Sequence, residues 1–155
     1  MILRVLPLFA LALAAAQAPK YNGPVPAQPD LPYLKHASNL VVTEIVEVKE
    51  QKDKTDSLFI IAGEASSSKT PLGLPVLLLK AEKLDPLKLV MFRLTVKDGH
   101  REITASGKKS ADPIRVVVTR VSDGLFRLEV YDSLENGQYM LAVDGVTQAF
   151  CFEID

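Results

Sequence analysis

Residues 125–155 read L-F-R-L-E-V-Y-D-S-L-E-N-G-Q-Y-M-L-A-V-D-G-V-T-Q-A-F-C-F-E-I-D. Three apolar runs are separated by two turn-forming segments, Ser133 to Gly137 and Asp144-Gly145, whose Gly, Asp and Asn residues suit tight chain reversal. Runs of this length, rich in Val, Leu, Phe and Tyr, predict consecutive antiparallel strands. The fold class that follows is all-β.

The same rhythm extends upstream. In Leu40 to Lys49, L-V-V-T-E-I-V-E-V-K, Val41, Glu44, Ile45 and Val48 would fit a helical face, but β-branched residues dominate and the strand reading is preferred. The mixed-sign run Lys49 to Asp56 reads as a solvated turn leading to a strand at Leu58 to Ala62. Strands at Val76 to Glu82 and Leu87 to Val96 flank a turn at Leu84-Asp85-Pro86. In the second, Val90, Phe92, Leu94 and Val96 alternate toward the core, with Arg93 and Thr95 toward water. Lys97-Asp98-Gly99 turns the chain into Arg101 to Ala105, the loop Ser106 to Pro113 leads to Ile114 to Val121, and Asp123-Gly124 closes the last hairpin before the opening stretch. About nine strands spaced by about 8 to 12 residues predict antiparallel sheets packed as a sandwich, each with one polar face.

Within the opening stretch, Leu134-Glu135-Asn136-Gly137-Gln138-Tyr139-Met140-Leu141 resembles the corner of immunoglobulin-like sandwiches, where a turn with Gly precedes a Tyr at the start of the penultimate strand. The resemblance implies that the Tyr139 hydroxyl bonds an upstream carbonyl and that Leu141 fills the core position antibody domains give to Cys. The partner Cys and buried Trp of antibody domains are missing, so the likeness reaches an immunoglobulin-like sandwich and no closer family. Short secreted bacterial proteins of unknown role have a similar G-x-Y…F-C-F ending, a likeness that brings no activity with it.

Three segments are expected. Residues 1–16 have a short charged start, an apolar run from Val5 to Leu13 and a small-residue end, Ala14-Ala15-Ala16, and are read as a cleaved signal peptide. The apolar run is well short of the ~20 residues a membrane span needs. Residues 17–37 form a Pro-rich extended arm, either a spacer or a docking segment using Tyr21, Leu31, Tyr33 and Leu34. Residues 38–155 form the β-sandwich domain. The reading places the mature chain outside the cytoplasm: secreted, or periplasmic in a bacterium.

Composition narrows the function. A chain of 155 residues can bury about two thirds of its unfolded surface. Scattered basic residues and a net charge of −1 leave no footprint for nucleic acid or an anionic membrane. The absence of Trp weakens any sugar-stacking platform. Cys151, the single cysteine, rules out an internal disulfide; it is either a small buried hydrophobe or, on the face opposite Phe150 and Phe152, a reactive thiol or the link in a disulfide dimer.

Motifs for chemistry are weak. His36 and His100 are isolated, and with Cys151 they cannot make a structural zinc site, so no metal or cofactor is expected. Ser66-Ser67-Ser68-Lys69 and Ser106-Gly107-Lys108-Lys109 both match S-x-x-K, but neither has a K-T-G partner or opens a helix. Asp123, Asp132, Glu135 and Asp144 at strand ends suit turns better than calcium. Gly63 to Pro75 is the longest internal segment without a pattern and is the expected recognition loop, with Ser66, Ser67, Ser68 and Lys69, joined by Tyr21 and Tyr33 of the arm. The expected function is non-catalytic binding of a protein or glycan. The alternative is an assembly subunit whose arm adds to a neighbour's sheet edge, with a metal-dependent or hydrolytic enzyme as the remainder.

Overall fold

The computed structural model describes residues 20–52, 54–107, 109–143 and 147–155. The expected signal segment, its cleavage point and the Asp144-Gly145 turn lie outside these residues. Among the described residues the chain is all β, with thirteen strands, a single 3₁₀ turn at Pro86–Lys88 and no α-helix. In order the strands are β1 (Tyr33–His36), β2 (Asn39–Val42), β3 (Glu44–Glu47), β4 (Lys49–Lys52), β5 (Ser57–Ala62), β6 (Lys69–Thr70) and β7 (Val76–Lys80). They continue with β8 (Leu89–Lys97), β9 (His100–Ser106), β10 (Val116–Ser122), β11 (Leu125–Val130), β12 (Gly137–Val143) and β13 (Gln148–Ile154).

The expected nine strands become thirteen for local reasons. The run Leu40 to Lys49 is one strand in pattern but is divided at Thr43 into β2 and β3. The three other additions lie where periodicity is absent: β1 in the segment assigned to the arm, β4 in the charged run read as a turn, and β6 in the expected recognition loop. All four residues of β4 are exposed, and its Lys49, Glu50, Gln51 and Lys52 are the polar side chains that blunt a sheet edge.

Two sheets result. The smaller has the order β10-β11-β7-β1-β2; the larger, eight-stranded sheet runs β3-β13-β12-β8-β9-β5-β4, with β6 added to β13. Every pairing is antiparallel except β6 with β13, which is parallel and carries on at Glu153 and Ile154 where β3 leaves off at Cys151. The chain passes between sheets at Thr43, whose amide and hydroxyl both donate to the Pro32 carbonyl, at 3.2 and 2.7 Å. A strand that changes sheet at a bend has no ladder partner there. The buried Thr side chain satisfies the corner instead.

β3 and β4 are separated in sequence by Val48 alone, yet they occupy opposite edges of the large sheet. The sheet therefore curls until its edges meet. Val48 is buried at that seam, with its amide donating to the Thr147 carbonyl at 2.7 Å. Two cores follow from this topology. The first lies between the sheets, where Leu34, Leu77 and Leu128 meet Met91, Leu141 and Phe152. The second fills the inside of the curl, with Ile61, Leu94, Ile103, Met140, Ala149 and Cys151.

The expectation of one polar face per sheet thus fails at the centre of the large sheet. In β12, Tyr139 and Leu141 enter the first core while Met140 enters the second; in β13, Phe150 and Phe152 alternate with Ala149 and Cys151 in the same way. Leu89 and Met91 in β8 likewise bury the face opposite Phe92 and Leu94, while the expected inward residue Val96 is 47% exposed. The Asp98-Gly99 turn takes the expected left-handed form, with φ of 51° and 81° at its two residues.

Candidate functional site

Inward-facing side chains order the curl along its axis. Register places Arg101 of β9 opposite Ile61 of β5 and Val96 of β8, and places Cys151 of β13 between Met140 of β12 and Glu44 of β3. Arg101 stops one end. Its side chain is fully buried, donating to both Glu44 carboxylate oxygens at 2.8 and 3.3 Å and to the Ala62 and Gly63 carbonyls at 2.9 and 3.1 Å. A buried guanidinium is tolerated because its donors and charge are both met.

The other end stays open. A cleft of about 410 Å³ lies there, walled by Val48, Phe59, Phe92, Ile103, Met140 and Ala142. Its polar lining comes from Glu50, Ser57 and Ser106, and the Ser57 hydroxyl donates to the Glu50 carboxylate at 2.5 Å. Alternation explains the arrangement: Glu50 pairs with Phe59 across β4 and β5, and Ser57 pairs with Ser106 across β5 and β9, so these polar groups sit one step outward from the apolar interior. The β5–β9 register shifts between Ser57 and Leu58, next to the mouth. A mostly apolar concavity with a few converging polar groups at the mouth of a barrel is a usual form of small-ligand site.

The residues singled out from sequence lie elsewhere. Ser66 and Ser68 are buried. The Ser66 amide donates to the Gln138 side-chain carbonyl at 2.8 Å, and the Ser68 hydroxyl donates to the Val42 carbonyl at 2.6 Å. Ser67 is exposed, and half-exposed Lys69 pairs with Glu153 at 3.2 Å. The loop is thereby stitched to β2, β12 and β13, with Ser67 and the Lys69 ammonium left at the surface. Tyr21 donates to its own Pro24 carbonyl at 2.8 Å, and Tyr33 packs partly buried against the first core within β1. The arm is held by its own chain. Pro26, Leu31 and Pro32 are buried, and the Asp30 carboxylate accepts from the amides of Glu82, Lys83 and Leu84, each at 2.9 Å.

Tyr139 takes up the expected corner geometry. Its ring is buried, stacked on Phe152 with centroids 5.6 Å apart, and its hydroxyl donates to the Glu135 carbonyl at 2.6 Å. Gly137 opens β12 with the Arg93 guanidinium 3.3 Å from where a side chain would begin, and Leu141 is fully buried. Cys151 is fully buried inside the curl, where desolvation, with Glu44 adding to it and Arg101 opposing it, pushes the thiol up to about 12. A disulfide dimer through Cys151 would require the second core to open.

His36 and the Thr70 hydroxyl lie 2.9 Å apart, but Thr70 is fully buried and also accepts from the Leu72 amide. His100 is paired with Glu102 at 2.8 Å. Among the described residues, no group of three or more His, Cys, Asp or Glu is placed to hold a metal ion, and no helix is long and apolar enough to cross a membrane. Asp123 is engaged by Arg120, and Glu135 by Arg93.

Sequence reasoning passed over the cleft and the Arg101 plug, although a signal for the second buried face was present. The runs Leu89 to Phe92, Tyr139 to Val143 and Ala149 to Phe152 are apolar on both parities, the mark of strands buried on two faces. No protein-family model, no curated protein and no solved structure matches the chain.

Proposed function

We propose that this chain is an exported, non-catalytic binding module whose ligand seats in the apolar mouth of the curled sheet. One observation carries the reading: a cleft of about 410 Å³ walled largely by apolar side chains, of which Phe59, Val90, Phe92, Ala142 and Val143 are only partly covered by the fold while Val48, Ile103 and Met140 are buried. Wetting such walls is unfavourable at roughly 25 cal/mol per Å² of apolar surface, so a ligand with an apolar body gains by replacing that water. The export half of the reading rests on the signal-like pattern of residues 1–16. A small apolar ligand suits the site better than a glycan, because Phe59 and Phe92 are set into the walls and present no open stacking platform. The Tyr139 corner supports an immunoglobulin-like reading of the sandwich at that corner and nowhere else along the chain.

The methionines offer a test with an internal control. Met140 lines the cleft, whereas Met91 lies in the first core. With methyl-labelled Met, titration with 1-octanol should move the Met140 resonance saturably and leave Met91 in place. Two unmoved resonances at saturating octanol would remove the cleft as a binding site.

A further inference from the structure

The polar groups at the mouth specify a head group, and this step rests on the cleft being the binding site. Among the described residues, Glu50 is the one charged side chain that lines the cleft. It also lines an adjoining polar basin of about 320 Å³, shared through Glu50, Ser57 and Ser106 and lined in addition by Lys52, Lys54, Thr55 and Asp56. The Glu50 carboxylate therefore stands at the neck between apolar wall and water. Ser57 fixes it there by donating to one of its oxygens. Lys52 approaches the same oxygen at 4.0 Å, but its side chain is 79% exposed, and such a solvated pair is worth little.

Ionised carboxylates only accept, and an ammonium supplies three donors with a complementary charge.

We infer that the ligand is a small cationic amphiphile, its apolar chain in the cleft and a protonated amine head on the Glu50 carboxylate at the neck. An anionic head in the same place would meet the like charge of Glu50.

Octylamine, 1-octanol and octanoate share one chain and differ in the head, and at neutral pH the amine is protonated as lysine's is. Calorimetric titration of the mature protein with each should give the order amine, alcohol, acid, with octylamine about tenfold or more tighter than octanoate. Glu50→Gln keeps an acceptor for Ser57 and removes only the charge; it should bring the amine-to-alcohol affinity ratio close to one. If octanoate binds as tightly as octylamine, or if the ratio survives Glu50→Gln, the head-group assignment is wrong while the cleft stands. If none of the three binds, the cleft and the head-group assignment fall together.

Discussion

Tyr139 and Cys151 sit on neighbouring strands of one sheet and face opposite ways, and each side chain is explained by the core it enters. The Tyr139 ring fills the space between the sheets, and its hydroxyl closes the carbonyl of Glu135, which would otherwise be stranded at the turn. Burial first, and Glu135 after it, push the phenol up, with Arg93 opposing. Tyr139→Phe keeps the ring and removes that bond, so chemical denaturation should show a loss of about 1 to 2 kcal/mol. A change within error would mean that Glu135 is satisfied by water. Cys151, by contrast, has its thiol held neutral inside the curl. A thiol-specific reagent at pH 8 should leave the folded protein unlabelled and label it fully in denaturant, with no dimer on non-reducing gels. Rapid labelling of the native state would show that the curl opens.

At the scale of elements, what was legible in sequence divides cleanly by burial. β5, β7, β8, β9, β11 and the last two strands announce themselves because their apolar residues recur beside Gly- and Asp-bearing turns. β4 and β6 did not, since an exposed edge strand and a two-residue bridge need no apolar pattern; pairing geometry alone makes them strands. β1 was hidden by the prolines before it. Those prolines run to Pro32, after which Tyr33 to His36 pair with β2 on one side, and Tyr33 and Leu34 with β7 on the other. The cleft was not legible at all: it depends on β3 and β4 reaching opposite edges of one sheet, a long-range fact that no local pattern encodes.

The arm is an element whose attachment can be tested through pH. Burial would raise the Asp30 carboxyl, but hydrogen bonds from the Leu84, Glu82 and Lys83 amides and the nearby Lys83 charge outweigh it and hold the group below its usual value. A carboxyl with a depressed folded value contributes stability above its unfolded value of about 3.9, and that contribution is lost as pH falls through the folded value. The stability gap between the wild type and Asp30→Asn should therefore be constant from neutral pH down to about 4 and shrink below it. A gap that stays the same into strong acid would show that Asp30 holds the arm by shape and not by charge.

The whole molecule is a sandwich in which one sheet is long enough to curl over its own outer face and enclose a second core. Arg101 stops one end with charge and backbone carbonyls, and the other end is left as the apolar mouth. Ala105 is an exposed residue lining that mouth, and the chain contains no Trp, so Ala105→Trp would place a single indole at the entrance. Val117→Trp, on the edge strand β10 of the other sheet, gives a matched control. The most direct measurement is the emission spectrum of each variant as 1-octanol is added. A saturable shift to the blue for the indole at position 105, with none at position 117, is the expected result. The same small, non-saturating drift at both positions would contradict a ligand site in the mouth of the curl.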